Sequence, residues 1–309
     1  MEDMNYAPIA LFTYSRADHT KQAVESLLTN KEAAKSDLFI FSDGPKGESK
    51  KTAVEENRKY IHTITGFNSI HIIEREKNWG LANSLIAGIT EIVNKYDRVI
   101  VVEDDLILSP YFLQFMNEAL EKYKDDDRVG AISAFIYPIK AKLPETFFMR
   151  YFHCWGWATW KRSWNLLNTD TKYLLRKLRF KINDFDIGGA YGILYCTKVG
   201  LADSWWVRLY ASLFLKDKLT LYPRSPLASN NGFDGSGTHC KEISGNESIY
   251  LYKFSDKAID IKDIKVIEDK LILTATKDYF KDHDKRTYLS KAKDNIKSFI
   301  RRLLYIDCM

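Results

Sequence analysis

Cysteine is scarce and scattered: the 309 residues hold four, Cys154, Cys196, Cys240 and Cys308, with no CxxC pair among them. Neither a zinc ribbon nor a disulfide framework is expected from such spacing. Seven prolines and fifteen glycines are too few for a linker-rich or collagen-like chain. No apolar run reaches the roughly 18 residues that a membrane span needs. Met1–Tyr6 carries no basic stretch leading into an apolar one, so no secretion signal is expected and a cytoplasmic setting is. GxGxxG and GxxxxGK[ST] are both missing, which removes the usual evidence for dinucleotide or P-loop phosphate binding. Outside the C-terminal segment no basic cluster interleaved with aromatics stands out, so no nucleic-acid partner is expected.

What is present is a chain that is 45% apolar, 14% aromatic and 28% charged, with net charge +5. That composition excludes disorder and supplies the core of one large or two small domains. The first half alternates short apolar runs with amphipathic stretches. Ile9–Tyr14, Leu38–Phe41, Ile70–Ile73, Arg98–Val102 and Val129–Phe135 read as strands. Ala23, Val24, Leu27 and Leu28 trace one helix; Leu81, Leu85, Ile86, Ile89 and Val93 trace another. A third helix opens at Ser109-Pro110 and carries Phe112, Phe115, Ala119 and Tyr123. The pattern predicts an α/β fold: a mainly parallel central sheet flanked by helices, with a C-terminal helical appendage.

Ligands of such sheets sit beyond the carboxyl ends of the strands. Three polar clusters fall there: Ser15-Arg16, Ser42-Asp43-Gly44 and Glu103-Asp104-Asp105. Three adjacent acids at the end of a buried strand repel one another unless something positive joins them. A hard divalent cation, Mn²⁺ or Mg²⁺, suits carboxylate oxygens and commonly bridges to substrate phosphates. The plainer alternative is a solvated acidic loop in which Asp105 caps the following helix.

Val101-Val102-Glu103-Asp104-Asp105-Leu106, followed by Ser109-Pro110-Tyr111-Phe112, resembles the acidic motif of nucleotide-sugar-dependent glycosyltransferases of the GT-A fold. It is most similar to the form found in N-acetylglucosaminyltransferase I. Tyr14-Ser15-Arg16, Phe41-Ser42-Asp43-Gly44, Cys154-Trp155-Gly156-Trp157 and Asp203-Ser204-Trp205-Trp206 follow in the order of that family's donor, base, acceptor-side and catalytic-base segments. Asn78-Trp79-Gly80 through Asn83 looks more like the broader inverting family 2. The resemblance covers about residues 7–240. It implies that Asp43 accepts from the uracil imide, with Arg16 near the base or diphosphate. It implies further that Asp104 takes the ribose hydroxyls, Glu103 a donor-sugar hydroxyl and Asp105 the metal. Asp203 becomes the general base, in an apolar setting supplied by Trp205 and Trp206, and an N-cap role is its alternative.

Aromatic faces stack on sugars, so Trp155, Trp157 and Trp205 are candidate platform residues, with core packing as the other reading. His239 closes the Gly/Ser-rich run Ser229–His239 and is a candidate further metal ligand on a lid-like loop. A catalytic unit over 1–243 is expected, its donor half ending near residue 140, followed by an appendage over 244–309. From Lys281 to Met309, eight Lys/Arg against four Asp leave +4, and Leu289, Ala292, Ile296, Phe299, Ile300, Leu303 and Leu304 recur at helical spacing. That reads as a basic amphipathic helix suited to an anionic membrane face. The function expected is metal-dependent inverting transfer from a UDP-sugar to a saccharide or lipid-linked saccharide, in bacterial surface-polysaccharide or glycolipid assembly. A sugar-nucleotide nucleotidyltransferase and a non-catalytic nucleotide-sugar-binding module are the alternatives.

Overall fold

Apolar runs with no polar alternation become strands covered on both faces here, and the amphipathic stretches between them become the covering helices. The computed structural model describes residues 5–232, 254–255 and 257–282. In chain order the first half is β1 (Ile9–Thr13), α1 (Ala17–Leu28), β2 (Asp37–Ser42), α2 (Lys51–Ile61), β3 (Ser69–Glu74), α3 (Leu81–Tyr96), β4 (Arg98–Glu103), β5 (Leu106–Leu108), α4 (Phe112–Lys122) and β6 (Val129–Ser133). The second half is β7 (Thr146–Met149), β8 (Trp157–Trp160), α5 (Lys161–Trp164), α6 (Thr171–Leu178), α7 (Ile182–Phe185), α8 (Ala190–Lys198), α9 (Trp205–Leu215), β9 (Leu219–Pro223), β10 (Ala228–Asn230) and α10 (Lys270–Asp282).

The main sheet runs β3-β2-β1-β4-β8-β6-β9-β7. β1 to β4 pair in parallel, as do β6 and β9, while β8 and β7 run against their neighbours. The expected mainly parallel sheet is therefore present. Alternate residues of β1 feed the two cores, Ala10 and Phe12 on one face, Ile9 and Leu11 on the other. α3 ends on Asp97, whose left-handed backbone (φ 61°) turns the chain directly into β4.

The helix expected at Ser109-Pro110 begins at Phe112 instead. Asp105 does not cap it, because the ribbon strand β5 intervenes, pairing antiparallel with β10. α2 and β7 to β9 lacked a readable signal: the helix is strongly polar, and the strands are four or five residues long. The segment over 170–195 is helical, as α6, α7 and part of α8.

Residues 257–282 fasten to the sheet. Ile259, Ile261 and Val266 enter one core and Ile272 the other. Glu268 accepts from the backbone N–H and guanidinium of Arg150, and Asp269 N–H donates to Phe148 O at 2.8 Å, beside edge strand β7. An exposed edge is thereby covered. The expected basic helix beyond Asp282 lies outside the described residues.

Candidate active site

Strand register decides what meets at the carboxyl edge. Thr13 pairs with Ser42, Ser42 with Glu74, and Phe12 with Glu103, so β1 to β4 end level. One more rung on each side of β1 fixes the next residues. Asp43 N–H donates to Thr13 O and Asp104 N–H to Phe12 O, both at 3.1 Å. Asp43 and Asp104 are thus held by backbone ladder bonds on either side of one strand end, and the three polar clusters converge as expected.

The positive partner of the acids is Arg16, at the start of α1. Its Nη2 donates to Asp104 Oδ1 and, at 3.0 Å, to Asp105 Oδ2. Asp104 is buried, while Glu103 and Asp105 are half-buried. Burial raises Asp104 to about 6, with Arg16 opposing and Asp105 adding to the rise. Burial, then the charges of Asp105 and Asp104, pushes Glu103 up to about 8. Burial would lower Arg16, but Asp104 and Asp105 overcome it and raise it. The wall facing these acids carries Cys154, whose thiol is pushed up by burial and then by Glu103 and Asp105.

Asp43 has another task than the resemblance implies. Its Oδ1 accepts from Gly44 N–H and Trp79 N–H, each at 2.9 Å; its Oδ2 accepts from Gly80 N–H at 2.9 Å and Asn78 Nδ2 at 3.0 Å. A carboxylate offers about four acceptor positions, so the protein itself uses all of them and leaves none for a base imide. Asp43 staples the 78–80 loop to the end of β2. Gly44 permits the close fit, since a Cβ there would lie 2.4 Å from the Lys77 carbonyl carbon. Trp79, 43% exposed, stacks under Arg75 at 4.0 Å. The Asn78–Gly80 pattern was visible in the sequence; its dependence on Asp43 was not.

β10 returns the chain to the acids. Asn231 N–H donates to Asp105 O at 2.9 Å, and a Cβ on Gly232 would stand 2.8 Å from Asp105 Oδ2. The Gly/Ser-rich run thus begins against Asp105, whereas His239 lies outside the described residues.

The second half revises three expectations. Trp157 is fully buried and stacks on buried Trp205 at 5.5 Å, so both are core and neither is a sugar platform. Trp155 is half-buried, packed on Phe135 and His153. The side chain of Asp203 is 61% exposed and ion-paired with Arg208, without the apolar surroundings expected. Ser204, not Asp203, caps α9 by accepting from Val207 N–H. Trp206 Nε1 donates to Phe152 O at 2.9 Å, which ties α9 to the Cys154 wall. His153 had no sequence signal. Burial lowers it to about 3, so it is neutral; its Nδ1 accepts from Trp155 N–H and its Nε2 meets the Tyr137 hydroxyl at 3.0 Å.

Three buried polar atoms around Asp105 have no partner among the described residues: Arg16 Nη1, Asp104 Oδ2 and Asn231 Oδ1. Buried polar groups are normally satisfied. Two orphan acceptors with one orphan donor match a cation carrying an anion. Among the described residues no three His, Cys, Asp or Glu gather as an all-protein metal cage. A small hard cation that keeps its waters and a diphosphate needs only one or two carboxylates. The residues fit the divalent ion that the resemblance implies.

The profile of glycosyl transferase family 2 matches residues 9–193, from β1 into α8. The chain is similar to an alpha-1,3-mannosyl-glycoprotein 2-beta-N-acetylglucosaminyltransferase of Arabidopsis thaliana, 24% identical over 186 residues. That match takes in 53% of this chain and 40% of the relative, so the chain spans well under half of it. Among solved structures it is similar to the Pyrobaculum calidifontis mannosyltransferase PcManGT in complex with GDP-Man and Mn²⁺, at 14% identity, TM-score 0.38 and 70% of each chain. It is also similar to S. aureus TarS 1-349, at 12% identity and TM-score 0.43, over 72% of this chain and 59% of that one.

Replacing Asp43→Ala removes the acceptor for three buried or half-buried backbone N–H groups. We expect a loss of about 3 kcal/mol in urea unfolding, with cleavage by added protease appearing near 78–80. A loss below about 1 kcal/mol contradicts the staple role. Glu103 sets a pH slope. A folded-state value above the unfolded 4.5 means that the native protein holds a proton the unfolded chain releases. Stability is then full below pH 4.5 and is lost as pH rises toward 8. Chelator-treated protein should lose thermal stability between pH 6 and 8, and Glu103→Gln should flatten that loss; an unchanged slope in the variant overturns the assignment.

Proposed function

The chain belongs to glycosyl transferase family 2, and from that premise we propose that it transfers a sugar from a UDP-sugar to a hydroxyl of a saccharide acceptor, with inversion at the anomeric carbon. The observation that carries the reading is the set of orphan polar atoms around Asp105, two acceptors and a guanidinium N–H, gathered where the strands of the parallel sheet end. A nucleotidyltransferase would need a glycine- and lysine-rich loop after β1, and Tyr14-Ser15-Arg16-Ala17-Asp18 has neither residue type. UDP-GlcNAc is the donor proposed first, because the Arabidopsis relative is named for transfer of that sugar.

Each side chain then has a task. Arg16 offers Nη1 to a diphosphate oxygen while Nη2 remains on the acids. Asp104 and Asp105 would hold Mn²⁺ or Mg²⁺, which when bound neutralises the charge developing on the leaving diphosphate. Glu103 faces a donor-sugar hydroxyl and hydrogen-bonds to it. Asp43 acts as a positioning residue, holding Asn78, Trp79 and Gly80 beside the nucleoside. Trp155, at the partly exposed edge of its aromatic cluster, lines the acceptor side. Asp203, paired with Arg208, takes the proton of the acceptor hydroxyl. The acceptor oxygen forms its bond to the anomeric carbon as the bond from that carbon to the diphosphate oxygen breaks, so a single displacement inverts the centre. The setting proposed is bacterial surface-polysaccharide or glycolipid assembly, with a lipid-linked saccharide as acceptor. Among the described residues no helix is long and apolar enough to cross a membrane.

Two substitutions separate binding from chemistry. Asp105→Asn should abolish Mn²⁺-dependent UDP affinity by calorimetry, and an affinity equal to the parent's removes the carboxylate from the site. Asp203→Asn should keep UDP affinity within about twofold while release of UDP from UDP-sugar in the presence of acceptor falls by about 10²–10⁴-fold. Retained turnover passes the base role to Glu103 or to Asp234 of the Gly/Ser-rich run, which lies outside the described residues.

A further inference from the structure

A basic and aromatic surface stands out on the second half of the chain, where the sequence reading had expected none. α6 presents Leu174, Leu175 and Leu178 to the core, and it packs against α8 and α9. Its other faces, with the turn that follows, expose Lys172, Arg176, Lys177, Arg179 and Lys181. No acid lies between Lys172 and Lys181. Among the described residues no carboxylate pairs with Lys172, Arg176, Lys177 or Lys181. Two aromatic rings sit within this charge. Tyr173 has Arg176 at 5.8 Å and Lys177 at 5.7 Å from its centroid, and Phe180 lies under Arg179 at 4.4 Å. The patch was missed in sequence because its leucines share the 172–181 run with the cations; only burial of the leucines leaves a face of cations and aromatic rings.

Phe180 is 85% exposed, the most exposed large apolar side chain among the described residues. An unburied phenyl ring wants an apolar phase, whereas the cations around it want a dense negative surface. A bilayer with anionic headgroups offers both within a few ångströms of depth. A polyanion such as RNA satisfies only the charge. α8, packed on α6, leads to Val199 and Leu201, 44% and 80% exposed, and then to Asp203 in the same loop.

We propose that the 172–181 surface, with Phe180 as its apolar wedge, docks the protein on an anionic lipid bilayer. The docking stands whether or not the proposed sugar transfer does, since none of its residues belongs to the donor or base machinery. Its place on helices that lead to Asp203 suits an acceptor whose saccharide is presented from a lipid.

Flotation of the full chain with vesicles tests the proposal directly. Phosphatidylcholine vesicles containing 30% phosphatidylglycerol should carry the protein, vesicles of phosphatidylcholine alone should not, and 0.5 M NaCl should release it. Combined Arg176→Glu, Lys177→Glu and Lys181→Glu should weaken partition about a hundredfold, as expected for losing three cations near an anionic surface. Phe180→Ala should weaken it about tenfold. All these positions are exposed, and an unchanged melting temperature shows that each variant folds. Parent protein left at the bottom of the gradient overturns the proposal. So does a charge-reversed variant that floats like the parent, which assigns docking to the chain beyond Asp282. Partition that ignores Phe180→Ala, together with equal charge-dependent binding to heparin, overturns it in favour of a general polyanion surface.

Discussion

Three adjacent carboxyl groups at the end of a strand buried on both faces cannot all ionise without a positive partner, and the site is arranged around that constraint. Arg16 supplies the partner by bridging Asp104 and Asp105 with one guanidinium nitrogen. That compensation is incomplete. Glu103 stays raised to about 8 and Asp104 to about 6, and a donor and two acceptors remain unmatched among the described residues. A site that is partly satisfied and partly buried is poised for a ligand carrying both signs of charge.

The surrounding scaffold is organised to keep this cluster in place. Ladder bonds from β1 fix Asp43 and Asp104 as extensions of the sheet, so both are placed with strand-like precision. Asp43 transmits that placement to the 78–80 loop through four hydrogen bonds. On the opposite side, β5 and β10 close a short ribbon that brings Asn231 and Gly232 onto Asp105. The wall of Phe152, Cys154 and Trp155 is backed by α9 through Trp206 and by the buried Trp157–Trp205 stack.

The first half was largely legible because its chemistry is local. Apolar runs such as Arg98–Val102 terminate at the polar clusters, and parallel topology sends all of those ends to one edge. The acid triplet, Arg16, Asp43 and the 78–80 loop could each be picked out by residue type and place. Their pairing could not be, because Arg16 and Asp104 are 88 positions apart and meet only through register. The aromatic half misled for the opposite reason. Trp155, Trp157 and Trp205 have the same side-chain chemistry, and only burial separates half-exposed Trp155 from the core pair. Asp203 shows the same limit: adjacent tryptophans suggested apolar surroundings, but helix geometry turns Trp205 inward and leaves Asp203 in solvent beside Arg208.

The most direct test of the central claim, that the Arg16–acid cluster receives a nucleoside diphosphate together with a divalent cation, is the melting temperature of the full chain. UDP, GDP, CMP and TDP would each be added with Mn²⁺ and with chelator. Ligand held at about 100 times its Kd stabilises the native state by about 2.7 kcal/mol. The account predicts a clear rise for UDP in Mn²⁺ that disappears with chelator. No rise for any nucleotide, or a UDP rise indifferent to the metal, contradicts it.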